Sequence, residues 1–123
     1  MHYSILIVDD SAVIRHSLRF WLEQNDWTVC GEPEDGQEAI DKAQQLRPDL
    51  VLLDLSMPRM NGFEAARELR RLHPSLPLLM FTSFETPDLE EQAIAAGCNM
   101  VISKSDSSQL LLNGIRRYLP AVA

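Results

Sequence analysis

Three aspartates, a threonine and a lysine are the residues here that have chemistry to offer as a group. Asp9 and Asp10 follow Ile5-Leu6-Ile7-Val8, and Asp54 follows Leu50-Val51-Leu52-Leu53. Thr82 follows Leu78-Leu79-Met80-Phe81, and Lys104 comes just after Met100-Val101-Ile102. A single acid beyond an apolar run is ordinarily a helix cap or a solvated loop residue. A set of three differs, because carboxylates brought to about 4 Å repel by roughly 4 kcal/mol per pair at an effective dielectric near 20. Such a cluster calls for a cation. Hard oxygen ligands, few in number, suit Mg²⁺, which keeps several waters and also binds phosphate. Lys104 then fits as a point charge for a phosphoryl oxygen, and the Thr82 hydroxyl as a donor to another.

Residues so far apart in sequence need a scaffold that gathers them. The aliphatic runs are too short for helices and read as strands buried on both faces. A weaker strand is expected over Trp27-Thr28-Val29-Cys30. Between the strands lie stretches of helical period. Ser11 caps one with Ile14, Leu18, Trp21 and Leu22 inward, and Asp35 to Leu46 forms another with Ala39, Ile40, Ala43 and Leu46 inward. After the turn-rich loop Ser56-Met57-Pro58-Arg59-Met60-Asn61-Gly62, a third carries Phe63, Ala66, Leu69 and Leu72 and stops before Pro74. Pro87 suits the first turn of a fourth and Gly97 its C-terminal cap. Asp106 is expected to cap a fifth, with Leu110, Leu111, Ile115 and Leu119 facing in. Five strands alternating with five helices imply an α/β fold, a doubly wound parallel sheet with right-handed crossovers and helices on both faces. Two strand orders are common for such sheets, and the pattern does not choose between them. In either, the site lies at the carboxyl ends of the strands.

The chain has 123 residues, 46% of them hydrophobic, with no linker or repeat, which bounds it to a single domain over residues 1–123. Its net charge of -7 is unfavourable for DNA and for acidic membranes. Cys30 and Cys98 lack metal-type spacing and read as small buried filler in a reducing, cytoplasmic setting. Asp9 and Asp10 cut short any N-terminal signal, and no apolar run approaches the ~20 residues that span a bilayer.

At these residues the sequence resembles the receiver domains of bacterial response regulators in two-component signalling. The matching pieces are the paired acids in ILIVDDS, the segment VLLDLSMPRMNG, the hydroxyl in LLMFTS and the lysine in VISKS. They run in the right order over essentially the whole chain. The wording around Asp54 and in LHPSLPLLMFT is most similar to receivers of the NarL/FixJ type, which carry helix-turn-helix outputs. The resemblance implies a flavodoxin-like fold with strand order 2-1-3-4-5. It implies that Asp54 accepts the phosphoryl group, that Asp9, Asp10, Asp54 and the backbone carbonyl of Ser56 hold Mg²⁺, that Lys104 neutralises phosphoryl charge, and that Thr82 is the switch. It implies a sensor histidine kinase or histidine phosphotransfer protein as partner, and allows a homodimer on phosphorylation. The chain is then not an enzyme beyond its own phosphorylation and slow dephosphorylation. Ser105 stands where many members have proline, and Val101 where many have a large aromatic.

Three competing readings are weighed beside this one. A phosphohydrolase with an aspartyl nucleophile would need an acid two residues after Asp54, where Ser56 stands. A receiver cut from a longer DNA-binding regulator would look as this chain does; with no basic recognition helix, this polypeptide is not expected to bind DNA itself. A degenerate receiver serving as a docking module would not keep the full acid set. His2, His16 and His73 are scattered and read as surface or packing residues. Arg70-Arg71 and Arg116-Arg117 read as solvated helix faces. Phe20 and Trp21, adjacent on one helix, cannot both point inward.

Overall fold

The computed structural model describes residues 3–120. Strands β1 (Ser4–Val8), β2 (Thr28–Gly31), β3 (Leu50–Leu53), β4 (Leu78–Thr82) and β5 (Met100–Ser103) alternate with helices α1 (Ala12–Gln24), α2 (Gly36–Leu46), α3 (Gly62–Leu72), α4 (Leu89–Ala96) and α5 (Ser108–Tyr118). All strand pairs are parallel, in the order β2-β1-β3-β4-β5. Of the two orders that the apolar pattern left open, this is the one implied by the resemblance.

The alternation of side chains along each strand divides the core in two. Ile5, Ile7, Leu50, Leu52, Leu79 and Ile102 face α1 and α5, where Leu18, Leu22, Leu111 and Ile115 cover them. Leu6, Val8, Val51, Leu53, Leu78 and Met80 face α2, α3 and α4. Because both faces are covered, the strands are apolar at consecutive positions rather than at every second one.

Register then places the strand ends. Val8 pairs with Leu53, so the next residues, Asp9 and Asp54, are neighbours. Leu53 pairs with Met80 and Thr82 with Ser103, which sets Thr82 and Lys104 along the same edge. The chain steps outward from β1 to β2 and then crosses to the other side of β1 for β3. The carboxyl ends of β1 and β3 thus meet at the point where the winding reverses.

Several local expectations need correction. Leu46 and Leu110 are 40% and 51% exposed rather than inward. Leu46 is the last residue of α2, before Arg47 turns into a left-handed conformation (φ 47°), and Leu110 sits one residue before the stripe that Leu111 and Ile115 fill. Asp106 does not cap α5. Its Oδ2 accepts the N–H of Ser103, and Ser107 occupies the cap position. Pro87 lies in the turn ahead of α4 rather than within its first helical turn. Cys98 is buried, its thiol pushed up to about 12 by desolvation, but Cys30 is only half-buried. Arg71 is solvated, whereas Arg70 is not a surface residue in function. It donates to the carbonyls of Gly97, His73 and Pro74 and to Asn99 Oδ1. Of Phe20 and Trp21, Phe20 is the outward one at 69% exposure, while Trp21 packs against the core. His16 is exposed and His73 half-buried; His2 lies outside the described residues.

Candidate functional site

Asp9 is the most tightly held residue of the site. Its N–H donates to the carbonyl of Pro33 at 3.2 Å, and its carbonyl accepts from Arg15 Nη1 at 2.7 Å. Its Oδ1 accepts from the N–H of Ser11 at 2.9 Å, and its Oδ2 pairs with Lys104 Nζ at 2.7 Å. Ser11 in turn caps α1 through the N–H of Ile14, so the bend between β1 and α1 is closed on both sides. Asp10, the next residue, is exposed.

Asp54 is 5% exposed. Its backbone N–H donates to Val8, continuing the β1–β3 ladder. Its Oδ1 accepts the N–H of Leu55 at 2.9 Å and pairs with Lys104 Nζ at 3.3 Å. Its Oδ2 accepts no hydrogen bond among the described residues and is the oxygen left for another partner. Burial pushes the Asp54 carboxyl above its ordinary value, and the neighbouring Asp9 carboxylate adds to this. Lys104 and the Leu55 N–H pull it back without cancelling the rise.

Carboxylate oxygens of Asp9, Asp10 and Asp54 all lie within 4.8 Å of one another. Lys104, with its side chain 15% exposed, is the ammonium that reaches two of them. Three carboxylates against one ammonium leave the cluster negative, with hard oxygen donors only. That donor set fits a small divalent cation with water-filled positions.

Thr82 is completely buried. Its hydroxyl accepts the N–H of Phe84 at 3.2 Å, and its carbonyl accepts the N–H of Lys104 at 2.8 Å. It therefore links the loop after β4 to the backbone that carries the lysine. Glu85, in that same loop, accepts from the hydroxyls of Ser103 and Ser105 on either side of Lys104. Ser105 also returns its N–H to Ser103 Oγ, and its peptide bond is trans like every other among the described residues. Val101 is half-buried against the α3–α4 side of the core.

The loop after β3 is tied to the loop after β2. Arg59, in a left-handed conformation (φ 67°), pairs with Asp35 at 2.9 Å. Asp35 also caps α2 through the N–H of Glu38, and that bond holds its carboxyl below the ordinary value. Met60 lies against Gly36. Ser56 is exposed, two residues past Asp54, and Met57 is buried beneath the loop. Asn61 and Glu64 form a reciprocal capping box that starts α3.

The structure thus brings Asp9, Asp10, Asp54 and Lys104 together and sets Thr82 one backbone hydrogen bond from Lys104. Nothing in the motifs singles out Arg15, Glu32, Glu34 or Arg59. For Arg15 a signal existed. It lies three residues before Leu18 and seven before Leu22, on the apolar stripe of α1, where an arginine needs a buried partner.

The profile of the response regulator receiver domain matches residues 5–116. Among curated proteins, the transcriptional regulatory protein YdfI of Bacillus subtilis is 36% identical over 110 residues, which is 89% of this chain and 51% of that protein. The response regulator protein VraR of Staphylococcus aureus is 36% identical over 118 residues, 95% of this chain and 56% of that protein. The chain spans about half the length of these relatives. Among solved structures, a two-component response regulator of the LuxR family from Aurantimonas sp. SI85-9A1 superimposes with a TM-score of 0.92 at 28% identity, over 97% of this chain and 86% of that one. The response regulator domain of Thermotoga maritima CheB gives 0.88 at 30% identity, with both chains fully covered.

Proposed function

The chain belongs to the response regulator receiver domain family of two-component signalling, and we propose that within it Asp54 accepts a phosphoryl group from a histidine kinase or histidine phosphotransfer protein, assisted by Mg²⁺. The observation that carries this reading is the approach of Asp9, Asp10 and Asp54 to within 4.8 Å, with Lys104 bound to two of them.

Asp54 Oδ2 is the attacking atom, since Oδ1 is engaged by Leu55 and Lys104. A P–O bond forms, the P–N bond to the donor imidazole breaks, and the departing nitrogen takes a proton from solvent. Asp9, Asp10, Asp54 and the carbonyl of Ser56 would hold Mg²⁺, which supplies positive charge facing the phosphoryl oxygens. Lys104 adds a second positive charge from the protein itself, freed from Asp9 or Asp54 as the phosphoryl group arrives.

Thr82 is the residue we assign to the switch. A phosphoryl oxygen would accept the Thr82 O–H, which the bond from Phe84 N–H leaves free, and would draw Oγ1 toward itself. Turning that hydroxyl releases Phe84 N–H and shifts residues 83–85. The names of the relatives, a transcriptional regulatory protein and a response regulator, support an output in transcriptional control as the reader of this shift.

Incubation with acetyl phosphate and Mg²⁺, followed by intact-mass measurement, tests the assignment. The protein should gain one phosphoryl group, and Asp54→Asn none. Equal labelling of the variant would overturn it.

A further inference from the structure

We propose that Arg15 is a positioning residue for Asp9, and that Glu32-Pro33-Glu34 is the mount that holds it there. The inference rests on the Mg²⁺ site described above and adds a residue that touches neither cation nor phosphoryl group.

Arg15 is 8% exposed, on the first turns of α1. A guanidinium so deeply buried is unfavourable unless each of its faces is met. Nη1 donates to the Asp9 carbonyl at 2.7 Å, Nη2 to Glu34 Oε1 at 3.3 Å, and Nε stands 3.8 Å from Glu32 Oε1. Between these two glutamates lies Pro33, which is buried and whose carbonyl accepts the N–H of Asp9. The peptide unit on each side of Asp9 is therefore bound by one short structure, with Arg15 on one side and the residue between its own counter-ions on the other. Only then do the two carboxylate oxygens meet Ser11 and Lys104. With both backbone groups held, the Cα–Cβ bond of Asp9 is aimed at the cluster, and Ser11 and Lys104 restrain the side-chain torsions that remain.

Electrostatics alone gives the opposite expectation. Arg15 is a cation near a cation site, so removing it should strengthen Mg²⁺ binding. Positioning predicts weakening, because the group that orients a ligand typically contributes tenfold or more to metal affinity. The sign of the change decides between them. Arg19 supplies the control. It pairs with the same Glu32 at 2.5 Å, yet makes no contact with Asp9.

The test is calorimetric titration of the full chain with MgCl₂ alone, with the fold checked by circular dichroism. Arg15→Met should bind Mg²⁺ about tenfold more weakly than the wild type, whereas Arg19→Met should bind it no more weakly. Arg15→Lys keeps the charge but cannot span Asp9 and both glutamates, and should show a smaller loss. Unchanged or tighter binding by folded Arg15→Met overturns the proposal, as does an equal loss in Arg19→Met. If Arg15→Met does not fold, Arg15→Lys decides, and an affinity equal to wild type overturns it. A wild-type protein that binds no Mg²⁺ would instead refute the functional reading itself.

Discussion

The α-carbon of Gly62 lies so close to the end of β3 that a Cβ there would stand 2.4 Å from the carbonyl oxygen of Asp54. It would also stand 2.8 Å from the Cα of Leu55. Both are backbone atoms of the strand and loop that present the candidate phosphoacceptor, so no side chain can swing aside.

Gly62→Ala is therefore predicted to destabilise the domain. Alanine is the better helix former by about 1 kcal/mol, but overpacking against backbone costs typically 1–3 kcal/mol and more where nothing yields. A lowered urea midpoint and slower labelling of Asp54 are expected. A midpoint at or above that of wild type would show that the loop moves away cheaply.

Asp54 should make the metal-free protein less stable as pH rises. Its folded carboxyl titrates above its ordinary value, so between those two pH values the folded chain binds more protons than the unfolded one. The contribution of Asp54 to stability is then fully present below the ordinary carboxylate value and is lost as pH rises through the folded one. In EDTA, Asp54→Asn should melt higher than wild type at neutral pH and lose this part of the slope. Mg²⁺ at a hundred times its dissociation constant should return about 2.7 kcal/mol to wild type and much less to the variant. Parallel curves for the two proteins would count against a strained carboxylate.

Arg70 should matter for stability and not for labelling. Its guanidinium ends α3 and α4 together through the carbonyls of His73, Pro74 and Gly97, and Asn99 passes the contact to the Leu78 N–H. Arg70→Ala should cost about 2 kcal/mol, as expected when carbonyls lose a charged donor. Arg70→Lys should recover little of it, since an ammonium lacks the fork. Denaturant melts and mass labelling with acetyl phosphate would check both halves.

Beryllofluoride activation should move the amide resonances of Ser83, Phe84 and Glu85 far more than that of Val101. A valine has one stiff torsion and no ring to swing, and Phe84 is already 49% exposed and bonded to Thr82. Thr82→Ala should still be labelled, with the shifts at residues 83–85 diminished. Repacking at Val101 with residues 83–85 unmoved would redirect the signal route.

The gathering of Asp9, Asp10, Asp54 and Lys104 was legible because it depends only on where short apolar runs end and on parallel pairing of those runs. The strand order needed the resemblance, since the same apolar runs fit either winding. What stayed hidden depends on pairs between segments far apart in the chain, such as Arg15 of α1 with Glu34 and Arg59 with Asp35. No local period encodes them. Asp106 misled for a local reason: the region before α5 is rich in serine, so several residues can serve as a cap, and the Asp106 carboxylate is taken by the N–H of Ser103 three residues back.

The ring around Asp9 also bears on how this domain can be recombined with others. Arg15 and Arg19 lie in α1, and their anions Glu32 and Glu34 lie beyond β2. A graft that exchanged α1 alone would carry two cations away from their acids and leave the Pro33 carbonyl as Asp9's sole tether from that side. For hybrid receivers the natural cut points fall before Asp9 and after Asp35, so that helix, edge strand and acidic loop travel as one cassette.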